Sequence, residues 1–134
     1  MDYLLDTDTC VELIRGRSRK ALTHLMGCRM GSVGISSITL AELQYGADKS
    51  ADPLRNRVLL AQFCAPLEIL PFEGKAASAY GKVRSKLEKK ETPIGSLDNL
   101  IAAHALSLSA VLVTNNVREF RRIEGLQIEN WVKS

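Results

Sequence analysis

Three acids stand in surroundings where acids are uncommon. Asp6 closes the apolar run Tyr3-Leu4-Leu5, Glu42 sits inside the apolar segment Ile38–Ala47, and Asp98 follows Pro93, Gly95 and Ser96 into another apolar helical pattern. A carboxylate among apolar neighbours is costly unless it is paired, protonated or bound to a cation. Asp98 alone is explained by the favourable field at a helix N-terminus. Three such acids together call for more. Converging carboxylates repel, and they relieve the repulsion by taking up a proton or by binding a hard divalent cation. Magnesium and manganese prefer carboxylate and water oxygens. A cation held by acids with open water positions suits hydrolysis at phosphorus. His24 and His104 are isolated and the cysteines lack metal-like spacing, so zinc is not indicated; His104, on an apolar face, reads as a core histidine with a satisfied partner.

Positioning these acids falls to an alternation of strands and helices. Tyr3–Asp6, Val33–Ser36, Leu67–Leu70, Ala110–Thr114 and Leu126–Glu129 read as short buried strands. Helices are expected after Thr7 or Asp8, ending at Gly16; over Leu22–Met26, with Leu22, Leu25 and Met26 inward; and from Ser36 or Ser37 to Ala47, mostly buried around Glu42. Further helices are expected from Pro53 to Pro66, from Glu73 to Lys90 with Ala76, Tyr80, Val83 and Leu87 inward, and from Ser96 as N-cap through Leu97, Leu100, Ile101, His104, Ala105 and Leu108. The pattern is that of an α/β domain with a mainly parallel sheet covered on both faces. Ligands of such sheets bind outside the carboxyl ends of the strands. Asp6 and the loop Thr114-Asn115-Asn116-Val117-Arg118-Glu119-Phe120 both follow strands, so both reach that rim. There Asn116 offers a neutral oxygen, Glu119 a full carboxylate, and Arg118 a partner for a phosphate or an acid.

The 134 residues suit one domain, taken as 1–134, and 46% hydrophobic with 25% charged residues is ordinary globular composition. No run approaches the ~20 apolar residues of a membrane span, and Met1-Asp2-Tyr3 carries no basic leader. With Cys10, Cys28 and Cys64 read as buried free thiols, a cytoplasmic location is expected. A net charge of +3 is too weak to indicate nucleic-acid binding alone, and few aromatics are available to stack on bases. Lys82, Arg84, Lys86, Lys89 and Lys90 form an outward basic face, as do Arg15, Arg17, Arg19 and Lys20 near the first helix junction. Both are simply solvated charges unless the substrate is an RNA.

Leu4-Leu5-Asp6-Thr7-Asp8-Thr9-Cys10, Ile35-Ser36-Ser37-Ile38-Thr39-Leu40-Ala41-Glu42-Leu43, Pro93-Ile94-Gly95-Ser96-Leu97-Asp98, Leu100–Ala105, Val113–Phe120 and Gly125–Trp131 together resemble the PIN-domain ribonuclease toxins called VapC. The likeness runs over nearly the whole chain, in order. It implies a three-layer α/β/α sandwich and a magnesium- or manganese-dependent endoribonuclease, with the anticodon loop of initiator tRNA as its suggested target. It also implies inhibition by a VapB-type antitoxin, homodimerisation and a larger hetero-oligomer with that antitoxin. By the same resemblance Asp6, Glu42 and Asp98 are the catalytic and metal-binding core, and Thr114 is the hydroxyl that orders it. Two positions depart from the pattern. Asp8 stands where asparagine is common, either adding charge or capping the helix. Asn116 stands where many PIN domains place a fourth aspartate, leaving Glu119 as the nearest acid for that role.

Two other readings compete. Asp6-Thr7-Asp8-Thr9 after a strand also resembles the opening of haloacid-dehalogenase-like phosphatases, with Asp6 as nucleophile and Asp8 as acid and base. That chemistry needs a late lysine and an acid pair after a strand, where this chain has Thr114-Asn115-Asn116. An inert PIN-like binding module would not need all three core acids.

Overall fold

Short apolar runs split by amphipathic segments fold into alternating strands and helices. In chain order these are β1 (Tyr3–Leu5), α1 (Thr7–Ile14), α2 (Arg19–Met26), β2 (Val33–Ser36), α3 (Ser37–Asp48), α4 (Pro53–Cys64), β3 (Glu68–Leu70), α5 (Gly74–Lys89), α6 (Ser96–Leu108), β4 (Val111–Val113), α7 (Val117–Phe120) and β5 (Ile128–Glu129). The structure is a computed structural model and describes residues 1–133.

The five strands form one wholly parallel sheet in the order β3-β2-β1-β4-β5. The chain winds outward from β1 through β2 to β3, then crosses back to β4 beside β1, with Leu4 level with Leu112. The direction of winding therefore reverses between β1 and β4. A crevice opens at the carboxyl ends of the two strands flanking such a reversal. Asp6 follows β1 there and Thr114 follows β4, tied by the Asp6 N–H donating to the Val113 carbonyl at 2.9 Å.

Alternation along the central strands sends side chains into two cores, one on each face of the sheet. Leu4 and Leu112 meet Val83, Leu87, Ile101 and Phe120 under α5 and α6. Leu5 and Val113 meet Cys10, Leu13, Ile35, Leu60 and Trp131 under α1 to α4. Fully burying one such leucine stabilises the fold by about 1.5–3 kcal/mol over leaving it exposed. Gly34 is dictated by close approach: a Cβ there would lie 2.7 Å from the backbone carbonyl oxygen of Glu68 on β3.

Several local expectations are corrected. α1 is capped by Asp6 rather than Thr7 or Asp8, and Gly95, not Ser96, precedes α6. On α2 the buried residue is the small Ala21, while Leu22 and Met26 are 43% and 76% exposed. Only Thr39, Leu43 and Ala47 of α3 are buried, leaving Tyr45 65% exposed and Glu42 half-buried. α3 packs against α1, α4, α6 and β2 through that one row of side chains. α6 is the reverse case. It is wedged between α5 and the sheet and buries Asn99, Ile101, Ala102, Ala103, His104 and Ala105, while Leu97 at its open end is exposed. β3 is an edge strand with Glu68 and Ile69 exposed, so the sheet is not covered everywhere.

Candidate active site

Asp6 is 4% exposed and accepts the Thr9 N–H at 2.9 Å as N-cap of α1. Burial pushes its carboxyl above the usual range, and hydrogen bonds from Thr114 and Thr9 draw it part of the way back. Thr114 is fully buried, and its hydroxyl also accepts the Asn116 N–H at 2.9 Å. One threonine thus contacts both the buried acid and the loop beyond β4.

Asp98 lies in the first turn of α6, half-buried, with its carboxyl pushed up to about 7. Burial is the largest cause, followed by the hydrogen bond to Glu119 and by the charges of Glu119, Asp6 and Asp8. Glu119 is the partner that keeps its charge. Partial burial pushes it up, but the Gly95 N–H, the Asp98 carboxyl, the Asn116 amide and the charge of Arg122 together hold it below the usual range. The geometry is plain: Gly95 N–H donates to Glu119 Oε1 at 3.0 Å, and Asn116 Nδ2 donates to Glu119 Oε2 at 2.6 Å. A Cβ on Gly95 would lie 3.4 Å from Asp98 Oδ2 and 3.9 Å from Glu119 Oε1, so both carboxyl groups crowd the entry of α6. Beside a charged Glu119, Asp98 holds a proton more readily than a free carboxyl does.

The segment after β4 is not an open loop; it contains the single helical turn α7, which turns Glu119 back toward α6. Asn116 contributes a donor rather than the neutral oxygen expected from its position. Asp8 is exposed and adds its charge to the rim, where the sequence left open a capping role. Arg118 and Arg122 are both exposed, and Arg122 lies over the entry of α6, its Nη1 donating to the Pro93 carbonyl at 3.0 Å. The sequence reading missed Gly95 and Arg122 as site residues. Arg122 could have been found from its position three residues after Glu119, within reach on one face of a helical turn.

Glu42 stands apart. Its Oε1 accepts the Thr7 hydroxyl at 2.6 Å, one residue beyond Asp6, and it faces a groove shared with Val11 and Leu43. Among the described residues no three acids, histidines or cysteines are drawn close enough to cage an ion as they stand. Of the three expected core acids, Asp6 and Asp98 therefore share a rim, Glu42 stays on Thr7's side, and the three do not close into a cluster. The donor set nonetheless fits a hard cation: Asp6, Asp98 and Glu119 present only oxygens, and burial with the neighbouring negative charges raises the pKa of Asp98. His104 is no part of this set. Its Nδ1 lies 2.8 Å from the Ser36 hydroxyl, its ring meets Phe72 edge-on, and burial lowers its pKa, as suits a core histidine.

A strand-end aspartate, a first-turn aspartate and a clamped glutamate thus line the crevice at the reversal of a parallel sheet on an α/β fold. A family model described as PIN domain matches residues 3–126. Relatives extend the match over almost the whole chain. A protein of Salmonella typhimurium named tRNA(fMet)-specific endonuclease VapC is 42% identical over 98% of each chain. Ribonuclease VapC2 of Rickettsia felis is 44% identical over 99% of this chain and 100% of its own. In three dimensions, a chain in the crystal structure of VapBC2 from Rickettsia felis bound to a DNA fragment from their promoter superposes with a TM-score of 0.92. It is 43% identical, covering 98% of this chain and 99% of that one. The chain belongs to the PIN-domain family, in its VapC branch. The phosphatase reading falls with this, since Asp6 is buried as a helix cap and residues 114–116 supply no lysine.

Proposed function

We propose that this chain is a metal-dependent endoribonuclease and the toxin of a toxin–antitoxin pair, hydrolysing phosphodiester bonds in the anticodon loop of initiator tRNA. The observation that carries the reading is the Asp98–Glu119 pair beside Asp6 at the switch point of the sheet. The relative's name, tRNA(fMet)-specific endonuclease, supports the choice of tRNA. Asp6, Asp98 and Glu119 would hold magnesium or manganese, with Glu42 contributing from Thr7's side. The bound cation would supply charge for the scissile phosphate and an acidified water. The residues present do the rest. Thr114 and Thr9 hold Asp6 in place, Asn116 and the Gly95 N–H aim Glu119, and Asp98 surrenders its proton when the site is charged.

A VapB-type antitoxin is the proposed protein partner, in keeping with the VapBC assembly of the Rickettsia neighbour. Among the described residues no helix is long and apolar enough to cross a membrane. Cys10, Cys28 and Cys64 are all free thiols, which suits the cytoplasm proposed for this chain, although only Cys10 is buried as expected and Cys28 and Cys64 are partly exposed. Homodimerisation is proposed from the resemblance. Tyr45 on α3 and Leu54, Val58 and Leu59 on α4 leave apolar surface exposed that could serve it. Light scattering should give the mass of two chains at high micromolar concentration; a single-chain mass with and without antitoxin removes the dimer.

The deciding experiment is to map RNA ends after brief expression in cells and to repeat the cut with purified protein. New ends confined to the anticodon loop of initiator tRNA are expected. Intact tRNA alongside arrested growth would refute the reading.

Glu119→Gln tests how the site is completed. It keeps the shape but removes the charge facing Asp98, and it should lower cleavage at least tenfold, about 1.4 kcal/mol of transition-state stabilisation. Asn116→Asp alone should also lower it, because it replaces the 2.6 Å donor to Glu119 with a repelling oxygen. Wild-type rates for Glu119→Gln across a metal titration would leave Asp6, Glu42 and Asp98 as the whole acidic set.

A further inference from the structure

A nuclease whose rim is lined with acids repels its own substrate, so its affinity for a polyanion has to come from cations placed elsewhere. Lys82 and Lys86 on α5 and Lys90 at its C-cap recur every four residues and stand in one row. Beneath them Val83, Leu87, Leu106 and Ile123 floor a cleft of about 200 Å³, smaller than the ~300–1,000 Å³ that encloses a drug-sized molecule. A cleft of this size suits one part of a longer molecule rather than an enclosed metabolite. Among the described residues Lys82 and Lys86 make no ion pair, while Arg84, on the same helix, is engaged by Glu88 at 3.2 Å. Lys90 lies 4.0 Å from Glu124, the one acid lining the cleft. Arg122 lines the same cleft, donates to the Pro93 carbonyl and lends its charge to Glu119. The basic row is therefore continuous with the carboxylate pair.

We propose that the α5 cleft is the substrate track: Lys82, Lys86 and Lys90 take successive phosphates of an RNA strand, its apolar floor receives the sugar and base edges, and Arg122 hands the strand to the acids. The inference rests on the ribonuclease reading. Solvated lysines on a helix are ordinary; unpaired ones lining an apolar cleft that ends at a phosphodiester site are not.

The test compares Lys82→Gln/Lys86→Gln with Lys75→Gln/Lys89→Gln, which removes the same charge from exposed positions of α5 outside the cleft. With initiator tRNA as probe, the cleft variant should raise KM about tenfold with kcat unchanged, and cleave a short oligonucleotide spanning only the rim at the wild-type rate. The slope of log affinity against log salt should fall by about 1.4, two contacts at ~0.7 each. The control pair should change each reading much less. Unchanged KM and salt slope, or an equal loss in the control pair, overturns the track. Loss of antitoxin binding with RNA binding intact also overturns it, making the cleft a protein-docking surface. Lysine-dependent binding of tRNA by a wild-type protein that never cuts it would instead uphold the track and refute the ribonuclease reading.

Discussion

Asp98→Asn abolishes RNA cleavage, by at least a thousandfold or about 4 kcal/mol of transition-state stabilisation, while the circular-dichroism spectrum stays that of the wild type. The substitution preserves volume and the first-turn position but removes the carboxyl beside Glu119. Stability moves the other way. The Asp98 carboxyl is pushed from 3.8 to about 7, chiefly by burial and then by Glu119, so the folded state holds a proton the unfolded state releases. A group raised in this way stabilises fully below its unfolded value, and the contribution disappears as pH rises through its folded value. Metal-free wild-type protein should therefore lose stability between about pH 4 and about pH 7. Asp98→Asn has no such group to titrate, so its melting temperature should equal or exceed the wild type's at neutral pH. A collapsed spectrum would make Asp98 structural, and wild-type cleavage would remove it from the catalytic set.

The parts of this site legible in the sequence are those set by local rules. An acid directly after a buried strand has to emerge at the carboxyl edge, which places Asp6 and the loop after Thr114. An acid three residues past Gly95 falls in the first turn of α6, which places Asp98. Glu42 was harder. Its neighbours Ala41, Leu43 and Tyr45 are all apolar, and periodicity does not reveal that only one row of α3 packs inward. Burying Ala21 in place of Leu22 on α2 is the same failure: how deep a helix sits depends on its neighbours across the layer, not on its own composition. Asn116 illustrates a third limit. Its amide can donate or accept, and only the return of Glu119 on α7 decides for donation. The donor from Gly95 is a backbone group, which no side-chain pattern advertises.

Cleavage should cease in excess chelator and return with magnesium or manganese. The argument starts from charge. Asp6, Asp8 and Glu119 all act on Asp98 across a single rim, and with burial they raise its hold on a proton. That proton and a divalent cation compete for the same oxygens, so cation binding releases protons and weakens as pH falls below about 7. Calorimetry in buffers of different ionisation enthalpy would read the proton release directly. Binding to the folded state alone also raises stability, by about 2.7 kcal/mol at a hundredfold excess over Kd. Melting temperature should thus climb with magnesium or manganese in the wild type and much less in Asp98→Asn. Because the acids are not caged before the cation arrives, affinity should be modest, and millimolar cation rather than trace metal should restore the rate. Undiminished cleavage in chelator, with an Asp98→Asn preparation showing none, would exclude both a contaminating nuclease and a metal requirement. The site would then act through the Asp98–Glu119 pair as acid and base.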